Sequence, residues 1–528
     1  MVRAPLCTAT LLALFAGGCN SLPDPGDPAD PAGPAAPLRI TTPAVQLLAT
    51  ADAQQVSLRA LTAQDHDVTA AAAWSLSDPS IGTIEHGALT VRGGLPGGVY
   101  QVTARLQDQT ATAQLLLSGT TEFVDASAPT DAKSYFGGSS GGAAPALVYP
   151  LGGSLLPPNL LQMRLQWRRD LGQQVFRIRV RSVAYRADLY AGASLCAADK
   201  CTFPVPDATW QKVARALAGQ SATITVTGVA SKGAALGTAT AVPLQFAPED
   251  IAGGVYYFSP STRGIKRAPI GAKRAVDFVV NGAETGCAGC HAVSRDGKQV
   301  AIEFGSGATS VGSTVVSGSR AAVRNFALQP AIAWNFAWFN PTGDRLIANW
   351  RGQLSVRAAA DGRVLSTVAA AQYGTGYVGG AMPEWSPDGK WIAFVRLRSA
   401  TTYDFELHNE GDIVIMPYND GAFGPAVPLV AAQPSTEVHF WPTWSPDSKW
   451  LIFNSQQCDG AACIQYNAEK TRLRLVRAVK DDGTAAAAST PIELVQGTHD
   501  KSKSNNWPKF APFYQAGRYG FVIYSATY

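Results

Sequence analysis

The chain has 528 residues, more than one hydrophobic core usually serves, so two to four domains are expected. Hydrophobic residues make up 46% of it and charged residues 16%, with 51 Gly and 34 Pro, a composition that favours short strands and tight turns over long charged helices. The formal net charge is +4 and no block of Lys and Arg occurs. The composition therefore predicts an all-β protein. Because nucleic-acid binding needs a concentrated basic patch, we also predict that the protein has no nucleic-acid partner.

The N-terminus has the pattern of a signal peptide. Residues 1–18 contain one Arg, an apolar stretch and then small residues that lead to Cys19. The run from Phe15 to Cys19 (FAGGC) resembles the bacterial lipobox, which implies removal of 1–18 and acylation of Cys19, with the lipid bilayer as a partner. In Gram-negative lipoproteins an Asp directly after the acylated cysteine usually marks inner-membrane retention. Because Asn20 occupies that position here, the resemblance favours the outer membrane. The alternative is an ordinary cleaved signal with a chance cysteine.

Residues 19–38 are rich in Pro, Ala, Asp and Gly, which indicates an extended tether. No later segment approaches the ~18–20 consecutive apolar residues of a spanning helix. The lipid is therefore expected to be the only anchor, and the protein to reside in the cell envelope.

Two segments with period-2 patterning follow the tether and predict two β-sandwiches. Residues 39–119 contain WSLSDPSIGTIEHGALTVRG and GVYQVTARL, which resemble the bacterial Ig-like domain of group 2. Residues 135–248 contain a Pro-framed stretch before Trp167 and alternating strands such as 175–180, which resemble a fibronectin type III domain. Such modules are usually spacers or adhesive domains.

Residues 254–528 carry an internal repeat, the strongest fold signal in the chain. Each copy is a strand, a turn related to S-P-D-G, and a second strand; the copies start at Ser294, Asn340, Ser386, Ser445 and Ala511. Their spacings of 46, 46, 59 and 66 residues approximate one four-stranded propeller blade. The repeat resembles that of TolB-like propellers.

The last copy supplies two strands before the chain ends. The strand-like segments 255–258 and 264–267 upstream of the first copy are candidates to complete that blade and close the ring. We therefore expect a C-terminal β-propeller of five blades, or six if one copy has diverged.

The eight cysteines divide among distinct roles under this interpretation. Cys7 leaves with the signal peptide and Cys19 carries lipid. Short local loops predict the disulfides Cys196–Cys201 and Cys458–Cys463 in an oxidising compartment. Cys287 and Cys290 remain, in the string Cys287-Ala288-Gly289-Cys290-His291.

This C-x-x-C-H string is the attachment motif of c-type haem. Two thiols two residues apart add to the vinyl groups, and the adjacent His291 becomes the proximal iron ligand. The motif precedes a propeller blade, whereas such motifs usually lie in small helical cytochromes. The alternatives are a Cys287–Cys290 disulfide beside a histidine that binds no metal, or a turn with only a structural role. Zinc binding is disfavoured because only three potential ligands cluster locally.

Alignment of the copies predicts where a sixth iron ligand would come from. Cys290 aligns with Met382 and Trp441, and we expect these positions, with Trp507 and His439, to converge at the channel mouth near His291. Met382 is the first candidate because a thioether is soft; His439 follows, and His499 is third.

Two functions remain open on the sequence. One is an envelope-anchored propeller with a single covalent haem for electron transfer or redox sensing. The other is a propeller without haem that binds a protein, peptide or glycan at a mouth rich in tryptophan (Trp334, Trp338, Trp385, Trp441, Trp444 and Trp507). No nucleophile or base can be named for an enzyme, so a catalytic role ranks third.

Overall fold

A computed structural model describes residues 38–42, 44–49, 52–95, 97–279, 288–305, 312–317, 323–324, 333–398, 411–433, 436–457, 470–494, 504–514 and 520–526. The predicted sites at Cys19, Cys287, His499 and Cys458–Cys463 lie outside these residues. The chain forms two compact units. Among the described residues, the N-terminal unit holds the chain from Leu38 to Leu151 together with Gln162–Phe246, and the propeller unit holds Gly152–Leu161 with those from Ala247 onward.

Short strands dominate the chain up to Phe246, as Gly- and Pro-punctuated alternation predicts. They are β1 (Arg39–Ile40), β2 (Ala44–Leu48), β3 (Gln54–Ser57), β4 (Ala60–Leu61), β5 (Ala73–Leu76), β6 (Gly82–Glu85), β7 (Ala88–Val91), β8 (Gly98–Leu106), β9 (Gln109–Val124), β10 (Ala146–Tyr149), β11 (Ser154–Leu156), β12 (Arg164–Arg168), β13 (Val175–Arg181), β14 (Tyr185–Gly192), β15 (Cys196–Ala197), β16 (Lys200–Pro204), β17 (Ser221–Val229), β18 (Gly237–Thr238) and β19 (Val242–Phe246). Helical segments are α1 (Asp207–Ala216) and the 3-10 turns Pro79–Ile81, Ala132–Gly137 and Ala193–Leu195.

The first sandwich packs the sheet β3-β7-β6 against the sheet β2-β9-β8-β5. Alternate residues of β7 and β9, such as Leu89 and Leu115, are fully buried between the two sheets. In the second sandwich β13 pairs with β14 and β17, and β10, β12, β16 and β15 form the facing sheet. Trp167 and Phe176 meet between these layers at a ring-centroid distance of 5.1 Å.

The two sandwiches share strand β9. Its first part pairs with β8, and its last part, from Gly119 to Val124, pairs in parallel with β14 of the second sandwich. The predicted domain end at residue 119 thus falls inside a strand, because the alternation that buries Ala113, Leu115 and Leu117 continues past Gly119 to Thr121.

The predicted disulfide between Cys196 and Cys201 is confirmed. The two cysteines are directly opposed on β15 and β16, and their sulfurs are 2.01 Å apart. The bridge therefore closes a tight hairpin at the end of the second sandwich.

The propeller unit is built almost entirely from strands. They are β11 and β20 (Gly254–Ser259), β21 (Gly264–Pro269), β22 (Val276–Val279), β23 (Ala288–Val293), β24 (Gln299–Phe304), β25 (Gly312–Ser317), β26 (Val323–Arg324), β27 (Phe336–Phe339), β28 (Arg345–Trp350), β29 (Gln353–Ala358), β30 (Val364–Thr367), β31 (Gly379–Trp385), β32 (Trp391–Leu397), β33 (Asp412–Asn419), β34 (Ala422–Phe423), β35 (Val427–Val430), β36 (Glu437–Trp444), β37 (Trp450–Gln457), β38 (Thr471–Arg477), β39 (Ile492–Glu493), β40 (Asn505–Phe510) and β41 (Val522–Ala526), with one helical turn, α2 (Ala370–Tyr373).

The sequence repeat corresponds to one hairpin turn. In the third copy the Ser386 hydroxyl donates to Asp388 at 2.6 Å and accepts the Trp391 N–H at 2.9 Å, while the Gly389 N–H donates to the Ser386 carbonyl at 3.0 Å. Gly389 has φ +77°, the left-handed conformation that favours glycine. The copies at Ser294 and Ser445 repeat these hydroxyl contacts, which explains why serine and aspartate recur.

A sixth hairpin of the same kind precedes the five that the sequence revealed. Ser259 ends β20, the Thr262 N–H donates to its carbonyl at 3.2 Å, and Ser259 pairs with Gly264 five residues on, as Ser445 does with Trp450. Strands β20, β21 and β22 form a separate sheet. The segments 255–258 and 264–267 thus pair with each other and with Val276–Val279, where we had expected them to complete the last blade.

In the part of the chain described, the propeller unit therefore has six sheets, which follow one another in sequence and pack face to face. Ile265 of the first sheet belongs to the same buried cluster as Ile302 of the second, Leu354 to the same cluster as Phe394, and Leu475 to the same cluster as Val522 of the last sheet. The fold is all-β, with a C-terminal propeller preceded by two β-sandwiches, as the sequence predicted. Within the described residues no helix has the length and apolarity to cross a membrane.

Candidate functional site

The innermost strands of three sheets carry a bulge at the same aligned position. The register shifts between Ala381 and Glu384 in β31, between Phe440 and Thr443 in β36, and between Asn506 and Lys509 in β40. The bulged residues Met382, Trp441 and Trp507 have φ of 51°, 55° and 55°. A positive φ is costly for such side chains, so the fold around them must hold these residues in place.

These bulged residues and the aligned Phe336 of β27 form what we call the aromatic layer. The Phe336 and Trp441 rings are 5.0 Å apart edge to face, and the Trp441 and Trp507 rings are 6.2 Å apart. The Trp441 N–H points at the Met382 sulfur at 3.4 Å. The expectation that Met382, Trp441 and Trp507 converge is confirmed, because residues from four sheets can meet in this way only near a common axis.

Two positions further along each innermost strand lies a second set of equivalent residues, the polar layer: Trp338, Glu384, Thr443 and Lys509. The Lys509 ammonium forms an ion pair with Glu384 and lies 3.9 Å from the centroid of the Trp338 ring. The Thr443 hydroxyl donates to Glu384 Oε1 at 2.9 Å. Four successive sheets are therefore joined through one carboxylate and one ammonium.

Glu384 is the centre of the polar layer. Only 4% of the residue is exposed, and its Oε1 also accepts the Trp444 N–H at 2.8 Å. The Trp444 indole N–H donates to the Glu384 carbonyl at 3.1 Å. Lys509, in contrast, keeps 38% of its side chain exposed, so it can reach a ligand while Glu384 holds it.

Cys290 and His291 lie side by side on β23, beside this axis. His291 Nδ1 is 3.3 Å from the Gly289 carbonyl, and the Tyr256 carbonyl also hydrogen-bonds the ring. Burial lowers the pKa of His291, and the positive charge of Lys509 lowers it further, while the two carbonyls oppose the change. The imidazole is thus neutral at pH 7 and engaged with backbone.

The described residues do not test a covalent haem, because Cys287 lies outside them. Cys290 lies within a register shift of β23 between Ala288 and His291, so strand alternation does not fix which faces Cys290 and His291 take. Across the described residues, no three His, Cys, Asp or Glu side chains are grouped to hold a metal ion.

The two candidates for a sixth ligand have separate surroundings. Met382 is 4% exposed and its sulfur accepts the Trp441 N–H. His439 is 1% exposed, its Nε2 is 3.3 Å from the Ala431 carbonyl, and its ring lies edge to face with Phe453 at 5.3 Å. Burial lowers the pKa of His439 to about 4. Met382 lies in the aromatic layer, whereas the contacts of His439 are with the sheet interface; ligation of iron by either remains a prediction.

The six tryptophans predicted to line the mouth of the propeller channel fall into two groups. Trp338, Trp441 and Trp507 are half-buried and lie in the two layers. Trp334, Trp385 and Trp444 are at most 3% exposed and serve the packing between sheets. The sequence alone did not identify Glu384 and Lys509, because no motif contains them. The signal that could have identified them is the alignment of the copies, which places these two charged residues at the same position as Trp338 and Thr443.

No protein-family model and no curated protein matches the chain. Solved structures do match. One named "putative TolB" from Agrobacterium tumefaciens is 15% identical, with a TM-score of 0.33, covering 52% of this chain and 90% of its own. A Bacteroides fragilis protein named "putative 6-phosphogluconolactonase" is 12% identical, with a TM-score of 0.30, covering 61% of this chain and 95% of its own.

A third match is the β-propeller domain of Cps50 (Swd1) from Myceliophthora thermophila, which is 10% identical with a TM-score of 0.25 and covers 40% of this chain and 73% of its own. These similarities carry no functional conclusion. The propeller assignment rests on the sheets and hairpins above, and function is argued from the two layers.

Proposed function

We propose that the propeller is a binding module whose ligand engages the aromatic and polar layers. The observation that carries this proposal is the convergence of equivalent positions from several sheets on one half-exposed lysine flanked by tryptophan. Binding sites are typically concave and largely apolar, with a few fixed polar groups that orient the ligand. The two layers supply both kinds of group.

The chemistry of the layers indicates the kind of ligand. Half-buried indole faces at Trp338 and Trp441 offer flat apolar surface for a sugar ring or an aromatic side chain. The Lys509 ammonium donates hydrogen bonds and attracts negative charge. A peptide or glycan of the cell envelope with an acidic or hydroxyl-rich group next to a flat apolar face fits best.

A binding screen with matched variants tests this proposal. We expect the wild-type protein to retain members of a peptide library or a glycan array, and Trp441→Ala and Lys509→Met to weaken that binding at least about tenfold, a loss usual for central anchor residues. The control is Phe513→Ala, because Phe513 is 58% exposed on a hairpin turn outside both layers. Near-ultraviolet circular dichroism verifies that each variant is folded. Ligands retained equally by all variants would contradict the proposal.

Covalent haem stays a prediction of the C-x-x-C-H motif, and a separate experiment decides it. The protein is expressed in an exporting host with haem-maturation machinery, and a denaturing gel is stained for haem peroxidase activity. A signal lost in Cys287→Ser/Cys290→Ser would establish thioether attachment and displace the binding module as the main function. No signal from the wild type would remove the haem.

We also propose that the module is held at the envelope by acylated Cys19. The sequence supports this through the lipobox-like run and the tether behind it. Cys19→Ala is expected to release the protein from the membrane fraction to the soluble fraction, because a lipid chain would be the only anchor. Sedimentation with membranes and incorporation of labelled palmitate are the measurements. A wild type that incorporates no palmitate, with a variant that still sediments, would contradict it.

A further inference from the structure

The second sandwich has an arginine-rich outer sheet face. Strand β13 alternates buried Phe176, Ile178 and Val180, each 0% exposed, with Arg177, Arg179 and Arg181 on the opposite face. Strand β14 adds Arg186 to that face, directly opposite Arg181. The exposed threonines Thr223 and Thr120 continue the same row on the neighbouring strands β17 and β9.

The pair Arg181 and Arg186 is unfavourable for the sheet itself. Like charges directly opposed on neighbouring strands repel, and both side chains are exposed. Core packing does not explain the two arginines, because both lie on the exposed face of the sheet and the apolar residues of β13 are buried on the other face. Such a pair is retained more readily where an external anion offsets the repulsion.

Acidic residues on this face do not neutralise it. Asp188 is shared, with Arg179 Nε at 2.6 Å from one carboxylate oxygen and Arg186 Nε at 3.4 Å from the other, and Glu122 pairs with Lys133 at 2.9 Å. Five cationic side chains (Arg177, Arg179, Arg181, Arg186 and Lys133) therefore meet two carboxylates, and Arg181 has no acidic partner in the described structure.

We propose that this face, centred on Arg181 and Arg186, docks onto the phosphate groups of an anionic lipid surface. The proposal rests on the proposed envelope anchor, because the tether 19–38 would hold the unit near a membrane. Guanidinium groups bind phosphate oxygens through paired hydrogen bonds, and neighbouring threonine hydroxyls add further donors. Each arginine near an anionic surface strengthens attachment electrostatically.

Vesicle sedimentation of the mature chain with Cys19→Ala tests the proposal without any contribution from the lipid anchor. We expect binding to phosphatidylglycerol vesicles, little binding to phosphatidylcholine vesicles, and weakening by salt. Arg181→Gln/Arg186→Gln should weaken the binding about thirtyfold, as the loss of two charges near an anionic surface predicts.

Arg164→Gln/Lys200→Gln is the matched control. It removes the same charge from exposed positions on the other sheet of this sandwich and should leave vesicle binding within about twofold of wild type. Equal losses of vesicle binding in both double variants would show that binding is not specific to the face centred on Arg181 and Arg186. No binding of the protein to anionic vesicles would overturn the proposal. Because the protein carries no acyl chain here, either result is independent of whether Cys19 is acylated.

Discussion

Replacing Glu384 with alanine is expected to lower the free energy of unfolding of the propeller by about 3 kcal/mol. The change removes the buried acceptor of the Thr443 hydroxyl and the Trp444 N–H and leaves both donors without a partner. It also removes the counter-charge of Lys509, which adds less because that side chain is partly exposed. Denaturant unfolding followed by tryptophan fluorescence is the measurement.

Asp361→Ala is the control for this prediction. Asp361 also faces an arginine, Arg363, but both side chains are more than half exposed on a turn. Its loss should change the free energy of unfolding by at most about 0.5 kcal/mol. A Glu384→Ala variant as stable as the control would show that the polar layer does not hold the sheets together.

Replacing Asp412 with alanine is expected to cost about 3–5 kcal/mol, the largest effect of a single substitution that we predict. Asp412 and Arg396 form an ion pair at 2.8 Å with 3% and 9% of their side chains exposed. The Tyr377 hydroxyl donates to the same carboxylate at 2.6 Å, and the Arg396 guanidinium lies 3.5 Å from the Tyr377 ring centroid. Without Asp412 the guanidinium is left buried and unpaired.

A double variant separates this cause from lost packing. Arg396→Met/Asp412→Leu removes both charges and should recover most of the stability, because a buried pair replaced by apolar side chains is often neutral. Tyr377→Phe, which removes one hydrogen bond, should cost about 1–2 kcal/mol. A double variant as unstable as Asp412→Ala would contradict the electrostatic explanation.

The pH dependence of the Asp412 contribution has a defined sign. Burial alone would raise the pKa of Asp412, but hydrogen bonds from Tyr377, Arg396 and the Ala432 N–H outweigh it and hold the pKa below its usual value. The contribution is therefore fully present above the unfolded pKa of about 3.9 and is lost as pH falls through the lower folded value. The stability difference between wild type and Asp412→Ala should be constant from pH 7 to 5 and narrow below about pH 4.

The sequence predicts the fold well where a local interaction fixes both the residue type and the backbone. Three of the hairpin copies are visible because a serine hydroxyl and an aspartate close the turn. The first hairpin was missed because Ser261 and Thr262 occupy the positions that Asp388 and Gly389 hold in the third copy, and Ser259 pairs with Ser261 at 3.2 Å. The local signal was absent although the strand geometry is the same.

The candidate site was predicted in part, for a physical reason. Aligned copies correctly placed Met382, Trp441 and Trp507 together, because a repeat fixes which positions face the axis. Glu384 and Lys509 lie 125 residues apart, and only the packing of β31, β36 and β40 against one another brings them into contact. The motif at Cys290 and His291 specifies residue types but not backbone, and here that backbone is a strand.

Strand β9 has a mechanical consequence for the two sandwiches that share it. The ladders of β9 with β8 and β2 end at Leu117 and Ser118, and its ladder with β14 begins at Gly119, so the two sandwiches meet at the point where the strand changes partners. Bending between the two sandwiches is therefore expected to concentrate at Ser118–Gly119, because none of the described partner strands of β9 pairs on both sides of that point. A load applied along β9 would be carried in shear by many hydrogen bonds at once. This geometry resists extension far better than one in which the hydrogen bonds break one after another.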